Sequence, residues 1–474
     1  MASRQGLVAL CRLARFETSD ELSKHAALRV LDLLPELKDE AAREDAGKKI
    51  IAGSGNGKRT ATAWLRTFAK TLPDIAASIP QWEAHIKAEH ELFTQFPDRT
   101  SREVVRDLYR FEVALMQGLG REPEAVMRKT LTLLEGTEQQ LTELMDWLLE
   151  RKAWPVVQEV AERFPKPFLA SAELLYRLAE AQDGDGKMDL AEETAAKALA
   201  LRPDDVPEHF RLGILLQERG QFTLAENELR YLLPRVTTDA YHQFRVPYAL
   251  SEMLHDIGRE LPAAEVAQGA VEMLAKNAQL VENSIRPQGA WISRMHYFFA
   301  LDLLENGKLE EARKRLDDGA AADPTDADVL IAMFRAEKVD EAWRASTKKL
   351  IAAGAEHFRG QVRELTQQAR QAPNEPTREI YNRQLASACN QLAWLVSNTE
   401  GDFDEALRCS QQSLELRPET GGYFDTLGRC YFAKRDFANA IKSQLRAVEL
   451  EPHTIQLRRQ LELFKTAQAE SQKK

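Results

Sequence analysis

The chain is poor in the residues that build covalent or metal-linked sites. It has four cysteines and nine histidines in 474 residues, and no two cysteines form a CxxC pair. A disulfide framework or a zinc site is therefore not expected. The sequence contains no N-x-S/T acceptor, no G-x-S-x-G motif and no arrangement of Ser, Cys or paired carboxylates that nominates an active site. It predicts no catalytic residue, no cofactor and no metal.

Long apolar runs and concentrated positive charge are also missing. No segment approaches the ~20 apolar residues that a membrane span needs, and the formal net charge is −10 with no basic stripe. These features argue against membrane insertion and against nucleic acid as a partner. Residues 1–16 carry arginine and no acid, as transit peptides do, but we interpret them as an amphipathic first helix. We expect a cytoplasmic protein, and a natural start upstream of Met1 stays an open alternative.

The clearest positive signal is an internal repeat near the C-terminus. Four residues recur 34 positions later in the same order: Phe403 as Phe437, Ala406 as Ala440, Leu416 as Leu450 and Pro418 as Pro452. The second copy also reads Phe424-x2-Leu427-Gly428-x2-Tyr431. This pattern resembles the tetratricopeptide repeat, a helix–turn–helix unit of 34 residues. The resemblance implies an all-α fold, an alpha-alpha superhelix (solenoid) of stacked hairpins.

The same template fits further upstream and divides the chain. Residues 172–205, 206–239, 244–277 and 293–326 match it, whereas 138–171 and 106–138 match it weakly. We therefore expect five regions: an irregular helical N-terminal region (1–105), degenerate hairpins (106–171), a central array (172–326), a helical linker with a proline hinge at 373–376 (327–386), and a C-terminal pair of repeats with a capping helix (387–474). Within the linker, the pattern predicts a helix from Glu341 to Gln371.

The resemblance also implies where the repeats pack most closely. Small residues such as Gly428, Ala440 and Ala447 stand where the two helices of a hairpin meet. Adding methylenes to such a contact typically costs ~1–3 kcal/mol. Glycine or a polar residue near position 15 allows the turn between the helices, and proline at position 32 ends the second helix.

Two segments resemble ligand-binding loops but depart from them. Ala52–Arg59 is close to a phosphate-binding loop, yet Arg59 stands where a Ser or Thr hydroxyl would hold magnesium. Asp183–Asp189 has a calcium-loop composition, but Lys187 and Met188 replace the oxygen ligand and the glycine that an EF-hand loop needs. We interpret the first as a loop between helices and the second as the turn of a repeat.

The resemblance implies a concave groove lined by the first helix of each repeat. Position 5 of four consecutive repeats carries an aromatic ring, and charged residues surround these rings. The predicted groove residues are Tyr176, Phe210, Tyr248, Tyr297, Glu180, Arg245, Glu252 and Arg294. We expect a partly acidic, aromatic-lined channel that holds an extended or helical peptide with basic or apolar side chains. The alternative is that these rings pack in the seam between helices as core residues.

These expectations favour a non-catalytic scaffold or adaptor that binds a protein or peptide partner. The alternative is a sensory or docking module of a larger signalling enzyme whose catalytic domain lies elsewhere. A Lys/Asn/Asn/Lys/Arg clamp for C-terminal carboxylates, known in this family, is disfavoured because the equivalent positions here are acidic or aromatic. The sequence does not predict the oligomeric state.

Overall fold

The structure, a computed structural model, describes residues 122–237, 239, 241–276 and 284–471, together with positions 95, 106, 109, 110 and 113. Within these residues the chain is helical, and they include no β-strand. The predicted N-terminal region (1–105), apart from residue 95, and the loop at 52–59 lie outside the described residues. The chain divides into two compact units, residues 1–203 and 204–474.

The described part of the first unit is a set of short helices. They are α1 (Glu124–Leu131), α2 (Glu138–Glu150), α3 (Trp154–Arg163), α4 (Pro165–Ala170), α5 (Ala172–Gly184) and α6 (Met188–Leu199). The side chains of Thr137 and Ser171 cap α2 and α5 by accepting hydrogen bonds from backbone N–H groups of the first turn. Helix α5 packs against α6, α2 and α3. Residues 138–163 and 172–199 therefore each form a helical hairpin.

The second unit continues as stacked hairpins and ends in a single helix. Its helices are α7 (Val206–Glu218), α8 (Phe222–Leu232), α9 (Arg245–Asp256), α10 (Glu260–Lys276), α11 (Gln288–Glu305), α12 (Leu309–Ala322), α13 (Ala327–Arg335), α14 (Glu341–Gln371), α15 (Glu375–Asn398), α16 (Phe403–Leu416), α17 (Gly421–Ala433), α18 (Phe437–Leu450) and α19 (Ile455–Ser471). Several begin at an Asp or Asn whose side chain accepts a backbone hydrogen bond; these residues are Asp205, Asp326, Asp340, Asn374, Asp402 and Asp436.

Left-handed residues close the turns between the paired helices. Gly186, Gly220, Gly258 and Gly307 stand at position 15 of four repeats, with φ between +71° and +79°. In this conformation the backbone N–H of the next residue can donate a hydrogen bond to the carbonyl five residues earlier. For example, the Gln221 N–H donates to the Leu216 carbonyl at 2.8 Å. In the last repeat Arg435 occupies the same place with φ +62°. Glycine adopts this conformation without strain, whereas a residue with a Cβ does not.

The small residues of the template lie at close contacts between helices. Gly428 is buried between α17 and α18, and a Cβ there would lie 3.1 Å from the Ala440 carbonyl oxygen and 3.2 Å from the Phe464 ring. Ala440 and Ala447 are fully buried on the facing helix. A larger side chain at these positions would push the helices apart.

The proline cluster at 373–376 separates two long helices that pack on each other. Helix α14 ends at Gln371, as the sequence pattern predicts, and the Asn374 side chain caps α15 by accepting from the Thr377 N–H at 2.9 Å. One hydrophobic core runs from Leu330 through Phe358 and Leu392 to Cys430, so it extends across this turn. The core is thus continuous from α13 to α17, and hinge motion at the prolines stays a prediction.

The terminal helix α19 contacts both ends of the second unit. Its buried residues Leu457, Leu461 and Phe464 form the apolar face that packs on the last hairpin, and Phe464 stacks on Phe432 with ring centroids 4.6 Å apart. At the start of α19, the Gln456 side chain donates a hydrogen bond to the His255 carbonyl at the end of α9. The helix therefore shields the last repeat and joins it to an early repeat of the same unit.

At positions with a left-handed backbone, we expect a change to glycine to stabilise the protein and a change from glycine to destabilise it. Arg435→Gly should raise the free energy of unfolding by about 1 kcal/mol, because it relieves left-handed strain. Gly258→Ala should lower it by about 1 kcal/mol, since its φ is +76° and the new Cβ would have open space around it, with the nearest atom, in Ile455, 3.7 Å away. Urea denaturation followed by circular dichroism measures both changes. Equal signs for the two variants would contradict this interpretation.

Candidate functional site

Arg294 joins three helices of the second unit by hydrogen bonds to two carboxylates. Arg294 of α11 donates from Nε and Nη2 to both carboxylate oxygens of Glu252 on α9, at 3.0 and 2.8 Å. Its Nη1 donates to Asp328 Oδ2 on α13 at 2.8 Å. The other oxygen of Asp328 accepts from Trp394 Nε1 of α15, also at 2.8 Å. We name Glu252, Arg294, Asp328 and Trp394 the inner network.

The two carboxylates and the guanidinium of the inner network are ionised, because each of these charges has a close partner of opposite sign. Burial alone would raise the pKa of Glu252 and of Asp328, but the charge and hydrogen bonds of Arg294 hold both below their ordinary values. Burial would lower the pKa of Arg294, and the two carboxylates raise it instead. Asp326, which accepts from Ser293 Oγ at 2.9 Å, has its pKa raised by burial and by the charge of Asp328. The Arg294 guanidinium is thus engaged within the protein.

Two of the predicted groove rings lie around this network. Tyr297 is half-buried, with the Arg294 guanidinium 5.0 Å and the His255 ring 5.8 Å from its ring centroid. Tyr248 is half-buried between Arg286, 4.7 Å above its ring, and the edge of Trp291 at 6.3 Å. Burial raises the pKa of both phenols, and for Tyr248 the charge of Glu252 adds to this rise. Both rings stay neutral at physiological pH.

A second group of aromatic residues lies nearer to solvent. The Phe210 ring of α7 meets the edge of His242 at 5.4 Å, and His242 meets Tyr241 at 4.7 Å. Arg245, at the start of α9, lies 4.3 Å above the Tyr241 ring. Tyr241 is 59 % exposed, whereas His242 is buried and anchored to Asp239 at 2.8 Å. We name Phe210, Tyr241, His242 and Arg245 the aromatic patch.

The structure does not bring all the predicted groove residues into one described site. Tyr248, Glu252, Arg294 and Tyr297 meet at the inner network, and Phe210 and Arg245 meet at the aromatic patch. The remaining two belong to the first unit. There Tyr176 is 4 % exposed, the core placement that the sequence left as an alternative, and Glu180 is half-buried. A binding role for each of these residues stays a prediction.

Several residues at the inner network and at the aromatic patch were not among the predicted groove residues. Arg286 and Trp291 lie before the repeat that begins at residue 293, and they have no template position. Arg286 precedes α11, and Trp291 lies in the first turn of that helix. Asp328 lies outside the repeat template. One available signal was Asp326, a cap residue directly before an apolar run, which is typical of a helix start. Tyr241 precedes its repeat and has no template position.

Three carboxylates lie where the last repeat meets α9, and one of them, Glu451, is close to each of the other two. They are Asp256 at the end of α9, Asp425 on α17 and Glu451 after α18. Burial raises the pKa of Asp256 to about 6, and the charges of Glu252 and Glu451 contribute to this rise. Burial, with the charge of Glu451, also raises the pKa of Asp425 to about 6, although Gln444 and Gln460 donate hydrogen bonds to it. These acids repel one another when ionised.

The described residues include free thiols but no cluster of metal ligands. Among them, no three His, Cys, Asp or Glu side chains come together as metal ligands. Cys389, Cys409 and Cys430 are free thiols, and burial raises the pKa of Cys430 to about 12, so it is an unreactive thiol. None of the helices in the described part of the chain is both long and apolar enough to cross a membrane.

Comparison with known proteins identifies the repeat. The family described as "Tetratricopeptide repeat" matches residues 172–205 and 423–454. These segments correspond to the hairpin of α5 and α6 and to that of α17 and α18. No curated protein matches the sequence.

Several solved structures show weak similarity. The assembly chaperone of RpL4 (Acl4) is 15 % identical, with a TM-score of 0.24 over 47 % of this chain and 85 % of that one. Naa15/Naa10 bound to HypK-THB is 14 % identical, with a TM-score of 0.30 over 95 % and 67 %. The APC/C complex Cut9–Hcn1 is 11 % identical, with a TM-score of 0.24 over 95 % and 86 %. These TM-scores are too low to support any inference about this chain.

Removing the central arginine should destabilise the second unit strongly. Arg294→Met leaves Glu252 and Asp328 without their partner. The three side chains are 13–34 % exposed, so the loss should be about 2–3 kcal/mol, at or below the low end of the ~3–5 kcal/mol for a fully buried pair. Arg286→Met is a matched control, because Arg286 lies 3.6 Å from Glu252 in a more exposed pair; it should cost less than about 1 kcal/mol. Urea denaturation gives both values. Similar losses in the two variants would show that Arg294 has no special role.

The second unit should lose stability as pH rises through 6. The pKa values of Asp256 and Asp425 are about 6 when folded, against about 3.9 for an unfolded aspartate. The folded state therefore holds these protons more tightly. Its advantage is complete below pH 4 and lost above pH 6, and the difference of about 2 in pKa corresponds to at most about 3 kcal/mol per group.

This pH effect can be measured as the urea midpoint between pH 5 and pH 7.5. The wild-type midpoint should fall over this range, and the fall should be smaller in Asp256→Asn and in Asp425→Asn. Asp318→Asn, at an exposed position on α12, serves as the control and should keep the wild-type slope. A wild-type midpoint that rises with pH would refute the assignment.

Proposed function

We propose that this chain, a tetratricopeptide-repeat protein, is a non-catalytic scaffold or adaptor that binds a protein or peptide partner on the inner face of the second unit. The observation that supports this most is the aromatic patch. It presents a tyrosine that is 59 % exposed, with an arginine stacked on it and buried residues fixing its position. Exposed Tyr and Arg side chains held in place are the residues that most often dominate binding energy at protein interfaces.

The charges at the aromatic patch and at the neighbouring inner network determine the kind of partner segment that we propose. Glu252 is paired with Arg294 and Arg286, so the acidic character expected for the groove is largely neutralised there. Arg245 and Arg286 instead leave guanidinium groups over the Tyr241 and Tyr248 rings. The patch therefore suits a segment with apolar side chains and hydrogen-bond acceptors better than one rich in lysine or arginine.

Rigidity of the supporting helices is the second part of the proposal. The inner network joins α9, α11, α13 and α15 through the contacts of Arg294 and Asp328. A surface held in this way loses little side-chain and backbone freedom on binding, which favours affinity. Removing exposed members of the patch should therefore weaken binding without unfolding the support.

The double variant Tyr241→Ala/Arg245→Ala tests the proposed function. Quantitative affinity purification from the native source, followed by titration of the partner that it identifies, should show at least about tenfold weaker binding. Loss of an exposed Tyr–Arg pair at the centre of an interface commonly costs about 2 kcal/mol. The melting temperature should change little, because the Tyr241 side chain is mostly exposed.

A matched control separates this result from a general loss of surface contacts. Ile380→Ala/Arg383→Ala removes a similar area from α15, where Ile380 is 52 % exposed and Arg383 is exposed. The control should bind as wild type does. If the patch variant keeps full affinity for every partner, the inner-face proposal is wrong, whatever the fold.

A further inference from the structure

A cleft at the turn edge of the last repeats is independent of the inner network and of the aromatic patch. It has a volume of about 590 Å³ and lies between the end of α13, the α15–α16 turn, the α17–α18 turn and the end of α19. Its apolar walls include Phe334, Phe403, Phe432 and Phe437. Phe432 and Phe437 meet edge to face at 5.5 Å, and Phe334 is 37 % exposed. The cleft can therefore accept an apolar side chain.

Arginines bring positive charge to this apolar cleft. Arg429 and Arg435 line it. Arg335, next to Phe334 in the chain, donates to the Asn398 side chain, which also lines the cleft. Burial and then the charge of Arg335 lower the pKa of Arg429 to about 10, so both guanidinium groups remain protonated at neutral pH.

Arg429 has one buried donor without an acceptor in the free protein. Its Nε is buried without a hydrogen-bond partner, and its guanidinium lies 4.9 Å from the Phe432 ring. Asp425 attracts it electrostatically, but the Asp425 Oδ1 atom accepts from Gln444 and Gln460 instead. A buried guanidinium donor without an acceptor is unfavourable. A ligand carboxylate in the cleft would pair with the charge of this guanidinium, which lines the cleft.

The local charge favours a singly charged anion. Of the residues that line the cleft, Arg429 and Arg435 are positive and Glu470 is negative, and the nearby Arg335 and Asp425 add one charge of each sign. One carboxylate neutralises the remainder, whereas a phosphate dianion would leave an excess of negative charge beside Glu470. The phenyl walls require that apolar groups flank this carboxylate.

We propose that this cleft is a second binding site, which takes the side-chain carboxylate of a Glu or Asp flanked by aromatic or large apolar residues in a partner protein. Arg429 donates to the carboxylate, Arg335 adds its charge, and the flanking side chains pack against Phe403, Phe432 and Phe437. The site lies at the turns between paired helices and differs in place and chemistry from the aromatic patch. It does not depend on the inner-face proposal.

For Arg429→Met we expect a loss of carboxylate binding without a loss of stability. In the free protein this change removes a guanidinium that is repelled by Arg335 and lacks an acceptor for its Nε. The melting temperature should therefore stay the same or rise, while carboxylate binding is lost. An arginine with a purely structural role would lower the melting temperature when replaced. Arg370→Met, at an exposed position on α14, is the control and should change neither property.

The experiment is fluorescence anisotropy with the full chain and a fluorescein-labelled peptide, Gly-Phe-Glu-Phe-Gly. The expected result is saturable binding, at least about tenfold weaker for the peptide with Gln in place of Glu and for the Arg429→Met protein. The patch variant Tyr241→Ala/Arg245→Ala should bind the peptide as wild type does, which separates this site from the inner face.

Other outcomes would overturn the proposal. No binding of the Glu peptide at millimolar protein, or equal binding of the Glu and Gln peptides, would refute the carboxylate site. Tighter binding of a phosphoserine peptide than of the Glu peptide would refute the charge argument. Unchanged binding by Arg429→Met would place the peptide elsewhere on the protein.

Discussion

The second unit depends on one bidentate ion pair and its extension, from Glu252 through Arg294 to Asp328. Each of these charges would be costly to bury alone, and each is ionised because the others are present. The three residues come from three different first helices of successive hairpins. Apolar packing holds each hairpin to the next, and the hydrogen bonds of Arg294 add polar contacts between α9, α11 and α13.

The second unit has contacts between repeats that are not adjacent in the chain. In an ideal repeat array each unit contacts only the adjacent ones, and stability is a sum of nearest-neighbour terms. Here Asp328 reaches Trp394, 66 residues away in sequence, and Gln456 of α19 reaches the His255 carbonyl, 201 residues away. Such contacts couple early and late repeats, so local opening of one hairpin disturbs others. We therefore expect the second unit to unfold more cooperatively than a simple array.

The sequence predicted the repeat architecture well because that information is local. The 34-residue period locates the turn glycines at position 15, and the helix over 341–371 has the predicted bounds. The inner network was not predictable in the same way, because Asp328 lies in a hairpin that departs from the template and its partners are 34 and 66 residues distant. Position 5 likewise does not decide burial: Tyr176 is enclosed, whereas Tyr248 is only half-buried, since the neighbouring helices differ.

Three arginines of the second unit differ in how far their charges and hydrogen-bond donors are paired within the protein. All the charge of Arg294 is matched by carboxylates at hydrogen-bond distance, so the residue stabilises the fold and has nothing left for a ligand. Arg245 lies over an exposed ring and retains its donors at a surface. Arg429 is held among phenylalanines with its Nε unsatisfied. The carboxylate that we propose for the cleft would give this guanidinium the opposite charge that Arg294 already has within the fold.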